Sequence, residues 1–386
     1  MAEFCPHCMQ PANGDKCPHC GGDMYVKAAV SQLPVGTILE VGISRYQVGV
    51  ALGQGGFGIT YIAMDLRNHQ RVAVKEYFPN LCAQRGDDHI SVSPKQNREA
   101  MFMGGRSSFL KEAQMLASLE KMPGIVEIHN YFETNGTAYL VMEYLNGITL
   151  KKLVSTQGNI PPREFIPKLP PLIKSLGHIH KQNVIHRDIS PDNIMLMPDG
   201  SLKLLDFGCA RSMEDGKAMT VMYKPGFAPV EQYLSKGQGT WTDVYALCAT
   251  IYYCITGVVP QASVDRLDND KLKSPAALGI ALPAELDAAL MWGLTVQPKE
   301  RPVNMDAFAN RFCPEESVKN HTIFQANISK TIFESTRAGM GTNAAPINDR
   351  KSLLSVLPKN PIARAVLLLA IVAAAVFLIV VTVNGI

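Results

Sequence analysis

Two apolar periodicities alternate along this 386-residue chain. Strand patterns, in which β-branched and aromatic residues alternate with others, occupy 46–48, 59–63, 72–75 and 139–145. Apolar residues recur every three or four positions through 109–119, a spacing that predicts an amphipathic helix. The stretch 45–313 carries such strand and helix patterns throughout, which predicts a large mixed domain.

Composition changes divide the chain into five predicted segments. They are a cysteine-rich head (1–24), a connector (25–44), the mixed domain (45–313), a linker rich in Ser, Thr, Asn and Gly (314–361) and an apolar segment (362–383). The net charge is +3, with no basic patch large enough to indicate nucleic-acid binding. Nucleic acid is therefore not an expected partner.

Within the apolar segment lies a run of 19 residues, 365–383, of which only Thr382 is polar. As a helix they would span roughly 28 Å, close to the ~30 Å hydrocarbon core of a bilayer. A buried core helix is the alternative interpretation. Basic residues precede the run at Arg350, Lys351, Lys359 and Arg364, so we expect a single-pass anchor with the long N-terminal part in the cytoplasm.

Four cysteines near the N-terminus form two C-x-x-C pairs, Cys5 with Cys8 and Cys17 with Cys20. Four thiolates presented by two tight turns suit tetrahedral zinc, and the doubled Cys-Pro-x-Cys resembles a small zinc ribbon. A redox pair is the alternative, but it needs only one C-x-x-C. A head this short buries little core, so a structural Zn²⁺ would supply its folding energy.

A glycine-rich motif lies between two strand patterns and comprises Leu52, Gly53, Gln54, Gly55, Gly56, Phe57 and Gly58. In a dinucleotide fold such a motif would open a helix. Here β-rich residues stand on both sides of it, which favours a strand–turn–strand hairpin folded over ATP. Glycines allow such a loop to approach phosphates closely.

The residues after this motif supply a candidate nucleotide pocket. Lys75 follows Gly58 by seventeen positions on a predicted strand, where its ammonium can reach the α- and β-phosphates. Glu112 on the predicted helix is the expected carboxylate partner that orients Lys75, with an ordinary surface role as the alternative. The apolar strand that ends near Glu143 would run into a hinge that holds adenine through its backbone.

The most informative stretch is His-Arg-Asp-Ile-Ser-Pro-Asp-Asn at 186–193, followed thirteen residues later by Asp206-Phe207-Gly208. An Asp that takes a proton from a hydroxyl, then an Asn and an Asp that hold magnesium, are the groups that ATP-dependent phosphoryl transfer requires. Asp188, Asn193 and Asp206 are therefore the predicted catalytic and metal-binding residues.

Together these ordered motifs resemble a eukaryotic-type (Hanks-type) bacterial serine/threonine protein kinase over residues 45–313. Further matching positions are Ala228-Pro229-Val230-Glu231, Asp243-Val244-Tyr245-Ala246 and Arg301. The resemblance implies an α+β bilobal fold, with a β-rich N-lobe and a helical C-lobe. It also implies that ATP and Mg²⁺ (or Mn²⁺) are used to phosphorylate protein Ser and Thr hydroxyls, including the chain's own. Glu231 and Arg301 resemble a buried structural ion pair.

Two departures from the kinase pattern stand out. Ser190 occupies the position where serine/threonine kinases usually carry a Lys that touches the γ-phosphate. Loss of that cation should weaken charge stabilisation unless another basic group substitutes. The segment 224–227 also lacks the usual Thr. Both changes fit a bacterial subgroup, and they leave a pseudokinase or a membrane-tethered zinc-ribbon scaffold as alternative functions.

The resemblance sets the remaining expectations. We expect the bacterial inner membrane as the location, and a phosphothreonine-binding protein and a second copy of the chain as candidate partners. Thr220 is the candidate autophosphorylation site, with an ordinary solvated loop threonine as the alternative. Thr322 and Thr331 lie in similar short sequences of the linker, which makes them candidate phosphorylated docking sites.

Overall fold

Strands dominate the chain up to residue 143, and helices dominate it from residue 150 onward. The computed structural model describes residues 4–205, 211–212 (backbone only), 224–234 and 237–313, all within one compact unit, Met1–Gly339. Predicted features outside these residues are Asp206, Phe207, Gly208, Thr220, Thr322, Thr331, the linker 314–361 and the apolar segment 362–383. No helix in the described ranges is both long and apolar enough to cross a bilayer.

The strands are β1 (Ile38–Val41), β2 (Ser44–Gln54), β3 (Gly58–Asp65), β4 (Gln70–Tyr77), β5 (Ala83–Arg85), β6 (Val92–Pro94), β7 (Ile128–Thr134), β8 (Thr137–Glu143), β9 (Ile148–Thr149), β10 (Val184–Ile185), β11 (Ile194–Leu196), β12 (Leu202–Leu204) and β13 (Arg211–Ser212). The α-helices are α1 (Glu99–Ala117), α2 (Leu150–Gln157), α3 (Pro162–Phe165), α4 (Pro170–Lys181), α5 (Val230–Tyr233), α6 (Thr240–Thr256), α7 (Ala284–Gly293) and α8 (Met305–Phe312). Short 3-10 turns occupy Ile166–Lys168, Ala276–Leu278 and Pro298–Glu300.

The N-lobe is a six-stranded antiparallel sheet in the order β1-β2-β3-β4-β8-β7, with α1 packed against β7 and β8. Neighbouring strands of this sheet are joined as hairpins, with one exception. Strands β4 and β8 pair in the sheet, although β5, β6, α1 and β7 separate them along the chain. The predicted glycine hairpin is confirmed, since β2 and β3 pair directly on either side of it. The β-rich N-lobe that the resemblance implies is therefore confirmed as well.

Part of the predicted connector, 25–44, belongs to this sheet. Strand β1 lies within it and forms the edge of the sheet by pairing with β2. Leu33 and Leu39 are almost fully buried in the N-lobe core. Burial of these two leucines attaches the connector to the lobe through the same hydrophobic effect that holds the sheet together.

A buried ion pair lies inside the N-lobe next to Lys75. Arg85 donates to both carboxylate oxygens of Glu76, at 2.7 and 2.6 Å, and both side chains are almost inaccessible to solvent. The hydroxyls of Tyr61 and Tyr139 donate to the same carboxylate at 3.0 Å each. Arg85 also donates to the carbonyl of Ser31 in the connector. The charges are thus fully paired, as a buried ion pair requires.

The C-lobe is built around α6. Every residue from Thr242 to Ile255 is buried, so this helix has no solvated face. Helices α2, α7 and α8 pack against it, and His180 of α4 binds Asp243 near its start. A helix that is apolar on most sides is stable only in such a buried position. Because α6 lies at the centre of the lobe, the polar residues at its N-terminal end can act on loops from several directions.

The two lobes share one apolar core. Ala73 on β4 and Leu140 on β8 belong to the same buried cluster as Leu172 on α4 and Leu204 on β12. A second cluster fills the space between the N-lobe sheet and α1. The shared core therefore fixes β4, which carries Lys75, relative to the C-lobe.

Candidate functional site

The glycine hairpin is open on the side where phosphates would lie. A Cβ added to Gly53 or Gly55 would meet no atom within 4 Å. A Cβ at Gly58 would overlap the carbonyl oxygen of Glu76. Gly58 is therefore needed for the close approach of β3 to β4, whereas Gly53 and Gly55 leave free space for a ligand.

The tip of the hairpin is held by the residues that follow β4, which the sequence interpretation did not anticipate. The N–H of Phe78 donates to the carbonyl of Phe57 at 3.1 Å, and the N–H of Asn80 donates to Gly56 at 3.3 Å. The Asn80 side chain also reaches Gln54, at 3.3 Å. These bonds position the glycine loop at the end of the strand that carries Lys75.

Lys75 lies on β4 opposite Thr60 of β3 and Leu140 of β8. It is only 7% exposed, and its Cε lies close to Gly58, beneath the glycine hairpin. Glu112 is half-buried on α1, one residue before the fully buried Ala113. The structure places both in the N-lobe, and the Lys75–Glu112 ion pair stays a prediction.

Glu143 ends β8 at the predicted hinge, where two of its groups already have partners. Its N–H donates to the carbonyl of Glu127 at 2.9 Å. Its carboxylate accepts from the N–H of Glu127 at 2.9 Å and from the ammonium of Lys203. The Glu143 side chain therefore links the end of β8 to Lys203 of the C-lobe strand β12. The contact of this hinge with adenine stays a prediction.

Asp243, near the start of α6, hydrogen-bonds the loop that carries Asp188. The Asp243 carboxylate accepts the backbone N–H groups of His186 at 2.7 Å and Arg187 at 2.8 Å, and it binds His180 Nε2 at 2.9 Å. Arg187 has a φ of 66°, an uncommon conformation for a residue other than glycine. The three bonds to Asp243 stabilise this strained turn.

Asp243 itself is fully buried and charged. Burial alone would raise its pKa, but the bond to His180, the nearby His186 and the N–H of Arg187 together hold the pKa of Asp243 below its ordinary value. The carboxylate therefore remains ionised inside the C-lobe, where it is a strong acceptor for the two backbone donors.

The structure brings Asp188 and Asn193 together. The amide nitrogen of Asn193 donates to the backbone carbonyl of Asp188 and to its Oδ2, both at 2.8 Å. Both bonds use Nδ2, so the Oδ1 of Asn193 accepts no hydrogen bond from any described residue. Amide and carboxylate oxygens are the ligands that magnesium prefers, so Asn193 fits its predicted metal-binding role. The second predicted ligand, Asp206, lies outside the described residues.

Lys224 contacts the loop 186–193, the predicted catalytic loop, and the sequence interpretation did not assign it a role. Its ammonium lies 2.9 Å from Asp188 Oδ1 and donates to Ser190 Oγ at 2.9 Å. The only signal in the sequence was indirect, because Ser190 replaced an expected cation and Lys224 stood in a segment that also departed from the usual pattern.

The predicted pair of Glu231 and Arg301 is present. Arg301 donates to both carboxylate oxygens of Glu231, at 2.7 and 3.0 Å, and both side chains are buried. Thr242 on α6 donates to the same carboxylate at 3.0 Å. The ion pair joins α5 to the segment between α7 and α8, and the Thr242 hydrogen bond joins α5 to α6. Both contacts therefore support the segment 224–234, which includes Lys224.

The four N-terminal cysteines converge in one cluster. The sulfur atoms of Cys5, Cys8, Cys17 and Cys20 all lie within 4.8 Å of one another. The two C-x-x-C turns use equivalent bonds: the N–H of Cys5 donates to Gln10, and the N–H of Cys17 donates to Gly22. Four soft ligands in this arrangement can hold a metal ion.

The head packs on the outer side of the β2–β3 hairpin. Met9 is 2% exposed and belongs to one apolar cluster with Ile62 and Met64 of β3. The N–H of Val50 donates to the carbonyl of Pro6 at 2.9 Å. A Cβ at Gly49 would overlap both Met9 and Pro6, so glycine is needed for this close contact. The head is therefore an integral part of the N-lobe.

Comparison with known proteins agrees with this geometry. Residues 46–312 match the protein kinase domain family. The chain is 31% identical over 274 residues to the serine/threonine-protein kinase PknB of Mycobacterium tuberculosis, which covers 67% of this chain and 40% of PknB. It is 29% identical over 278 residues to the probable serine/threonine-protein kinase SCO3848 of Streptomyces coelicolor, which covers 68% and 38% of the two chains.

A solved structure described as the apo form of PpkA-294 is 35% identical, with a TM-score of 0.64, and covers 73% of this chain and 99% of that one. The alignments span about two fifths of the length of these curated relatives. The family match covers more than half of the chain. The chain belongs to the protein kinase family.

Replacement of Asp243 by Asn should destabilise the protein, because the amide cannot accept from all three donors and removes the buried charge. We expect the free energy of unfolding to fall by about 3–5 kcal/mol, measured by urea denaturation. The matched control is Asp306→Asn, which breaks the exposed ion pair with Lys181 and should cost less than ~1 kcal/mol.

The difference in the free energy of unfolding between wild type and Asp243→Asn should depend on pH. The folded-state pKa of Asp243 is lowered, so its contribution is complete above the unfolded pKa of about 3.9 and is lost as pH falls through the folded value. The difference between wild type and Asp243→Asn should therefore shrink as the pH falls below about 4. A difference that stayed undiminished down to the acid unfolding transition would contradict the ionised, hydrogen-bonded carboxylate.

Proposed function

We propose that this protein is a serine/threonine protein kinase that transfers the γ-phosphoryl group of ATP to protein hydroxyls, its own included. The observation that carries the proposal is the catalytic loop, in which Asn193 holds the Asp188 carboxylate and Asp243 fixes the backbone beneath it. The open glycine hairpin over Lys75 supports the same activity, because it leaves room for phosphates next to a buried ammonium. The kinase relatives support the Ser/Thr class.

The reaction assigns a task to each residue. The Asp188 carboxylate orients the acceptor hydroxyl and takes its proton while the oxygen forms a bond to the γ-phosphorus. The bond from that phosphorus to the bridging oxygen breaks, and ADP leaves. In this reaction Lys75 would bind the α- and β-phosphates, and Leu52, which is about half exposed on β2, would contact the adenine. Asn193 and Asp206 would hold magnesium, which supplies positive charge against the phosphates.

Replacement of Asp188 by Asn tests the activity. The amide cannot accept the proton, so we expect autophosphorylation of the full chain with labelled ATP and magnesium to fall at least ~100-fold. Binding of ADP should change little, because Asp188 lies on the acceptor side of the site. The control is Asp268→Asn, an exposed Asp far along the chain, which should keep the wild-type rate.

Equal label transfer by wild type and Asp188→Asn would exclude catalysis by this site. Wild-type protein that binds ADP but transfers no label would favour the pseudokinase alternative, to which the serine at position 190 gives some support. A scaffold would be indicated if Lys75→Ala left the cellular phenotype unchanged and Cys5→Ser abolished it.

We also propose that the cysteine cluster binds one structural zinc ion. Sulfur ligands about 2.3 Å from a tetrahedral zinc lie ~3.8 Å apart. The Cys5–Cys20 and Cys8–Cys17 sulfur distances are 3.6 and 3.7 Å, which supports this assignment. The ion would fold a head that has only a small core of its own.

Purified full-length protein should contain about one zinc per chain by elemental analysis, and Cys17→Ala should contain none. Loss of zinc should also lower the melting temperature, because Met9 and Pro6 of the head pack on β2 and β3. Cys82→Ala is the control, since it removes a buried free thiol outside the cluster and should keep the metal. A native disulfide among the four cysteines, with no zinc, would contradict the assignment.

The C-terminal segment is proposed as a membrane anchor that keeps the kinase domain in the bacterial cytoplasm. Its 19-residue apolar run and the basic residues before it support this role. In cell fractionation the full chain should remain in the membrane pellet after an alkaline carbonate wash. A chain that ends at residue 361 should be released, and retention of both would contradict the anchor.

A further inference from the structure

Ser190 leaves the catalytic loop without its expected cation, and the structure places a cation from elsewhere beside it. Ser190 is completely buried, and its hydroxyl accepts a hydrogen bond from the Lys224 ammonium at 2.9 Å. The same ammonium lies 2.9 Å from Asp188 Oδ1. Asp188 is therefore held on one oxygen by Asn193 and on the other by Lys224.

The backbone around Lys224 is built to hold this position. Its carbonyl accepts the N–H groups of Phe227 and Ala228, both at 3.0 Å, in a tight turn. Gly226 in this turn has a φ of 86°, and a Cβ there would lie 2.6 Å from the carbonyl oxygen of Pro260. The turn is therefore pressed against the C-lobe in a conformation that requires glycine.

The two residues that follow the glycine also anchor this turn. Phe227 is buried and packs edge-to-face on Tyr253 of α6, with ring centroids 5.9 Å apart. The hydroxyl of Ser263 donates to the carbonyl of Ala228 at 2.8 Å. Lys224 thus projects from a fixed support toward Asp188 rather than from a solvated loop, and its side chain is about one third exposed.

We propose that Lys224 is the catalytic cation of this kinase and contacts the transferred γ-phosphoryl group, in place of a lysine at position 190. An ammonium has three N–H donors. Asp188 and Ser190 take two of them, which leaves one for a phosphate oxygen. Lys224 keeps its proton throughout, while the proton of the acceptor hydroxyl goes to Asp188 and the bridging oxygen leaves with ADP. This inference rests on the kinase function proposed above.

The chemistry of the transition state explains why the cation must be here. Negative charge is spread over the equatorial oxygens of the γ-phosphoryl group as the acceptor oxygen approaches. A cation within 2.9 Å of the carboxylate that orients this oxygen is necessarily close to the bond that forms. Ser190 is short enough to leave space for the lysine and polar enough to fix its ammonium. The two residues therefore form one functional unit.

Lys224→Met removes the charge and keeps most of the side-chain length. We expect the maximal rate of autophosphorylation of the full chain, measured with γ-labelled ATP and magnesium, to fall roughly 100-fold. The affinity for ADP, measured by calorimetry, should stay within about twofold, because ADP lacks the phosphate that Lys224 contacts. The control is Lys181→Met, which removes a lysine from an exposed ion pair on α4 and should leave both values unchanged.

A swap variant tests the placement of the cation. Ser190→Lys in the Lys224→Met background returns a lysine to the loop position and should restore the rate at least about tenfold. Lys224→Arg should also restore part of it, since the charge is kept. A role confined to folding would predict that ADP affinity falls together with the rate and that neither charged variant restores it.

Three results would overturn the assignment: an unchanged rate in Lys224→Met, an increased rate, or a loss that neither charged variant reverses. An increase would mean that Lys224 restrains Asp188 instead of assisting it. Failure of the kinase function itself would be seen separately, as equal label transfer by wild type and Asp188→Asn. Failure of the Lys224 assignment can therefore be distinguished from failure of the proposed kinase function.

Discussion

The catalytic loop depends on a single buried carboxylate. Asp243 accepts two consecutive backbone N–H groups, from His186 and Arg187, and so fixes the turn immediately before Asp188. Because Asp243 lies on α6, which is buried from Thr242 to Ile255, the C-lobe core fixes the turn immediately before Asp188. A buried charge is costly unless it is fully hydrogen-bonded, and here that requirement maintains the geometry of the loop.

In the N-lobe a buried carboxylate, that of Glu76, likewise fixes a functional residue, because side chains alternate between the two faces of β4. Lys75 and Glu76 are neighbours on β4, so their side chains point to opposite faces of the sheet. Lys75 faces the space beneath the glycine hairpin, and Glu76 enters the core, where Arg85, Tyr61 and Tyr139 satisfy it. Burial, together with the Glu76 charge, raises the pKa of both tyrosines, so their hydroxyls remain neutral donors. The pairing of Glu76 therefore fixes the strand from which Lys75 extends.

Local sequence patterns were sufficient to predict one part of this arrangement. The glycine hairpin, the strand that carries Lys75 and the convergence of four cysteines follow from short-range spacing, which sterics and ligand geometry restrict. The contacts of Met9 with Ile62 and of Lys224 with Asp188 join residues far apart in the chain. No periodicity encodes such contacts, because they depend on how separate elements pack. The serine at 190 indicated that a cation was missing, but only the fold identifies the residue that lies there.

Lys224 and Asp188 lie on separate segments of the chain, so the site is complete only when both segments are in place. In the usual kinase pattern both the carboxylate and the cation lie on one short loop, so the loop that positions one also positions the other. Here the loop is fixed by Asp243, whereas the turn that carries Lys224 is fixed by Gly226, Phe227 and contacts around Ala228. The carboxylate and the cation are therefore held by different contacts, although both sets end on the C-lobe. Any change that lifts this turn would remove the positive charge while Asn193 and Asp243 still hold Asp188 and its loop. The proposed phosphoryl transfer would then be lost while the proposed nucleotide pocket is kept.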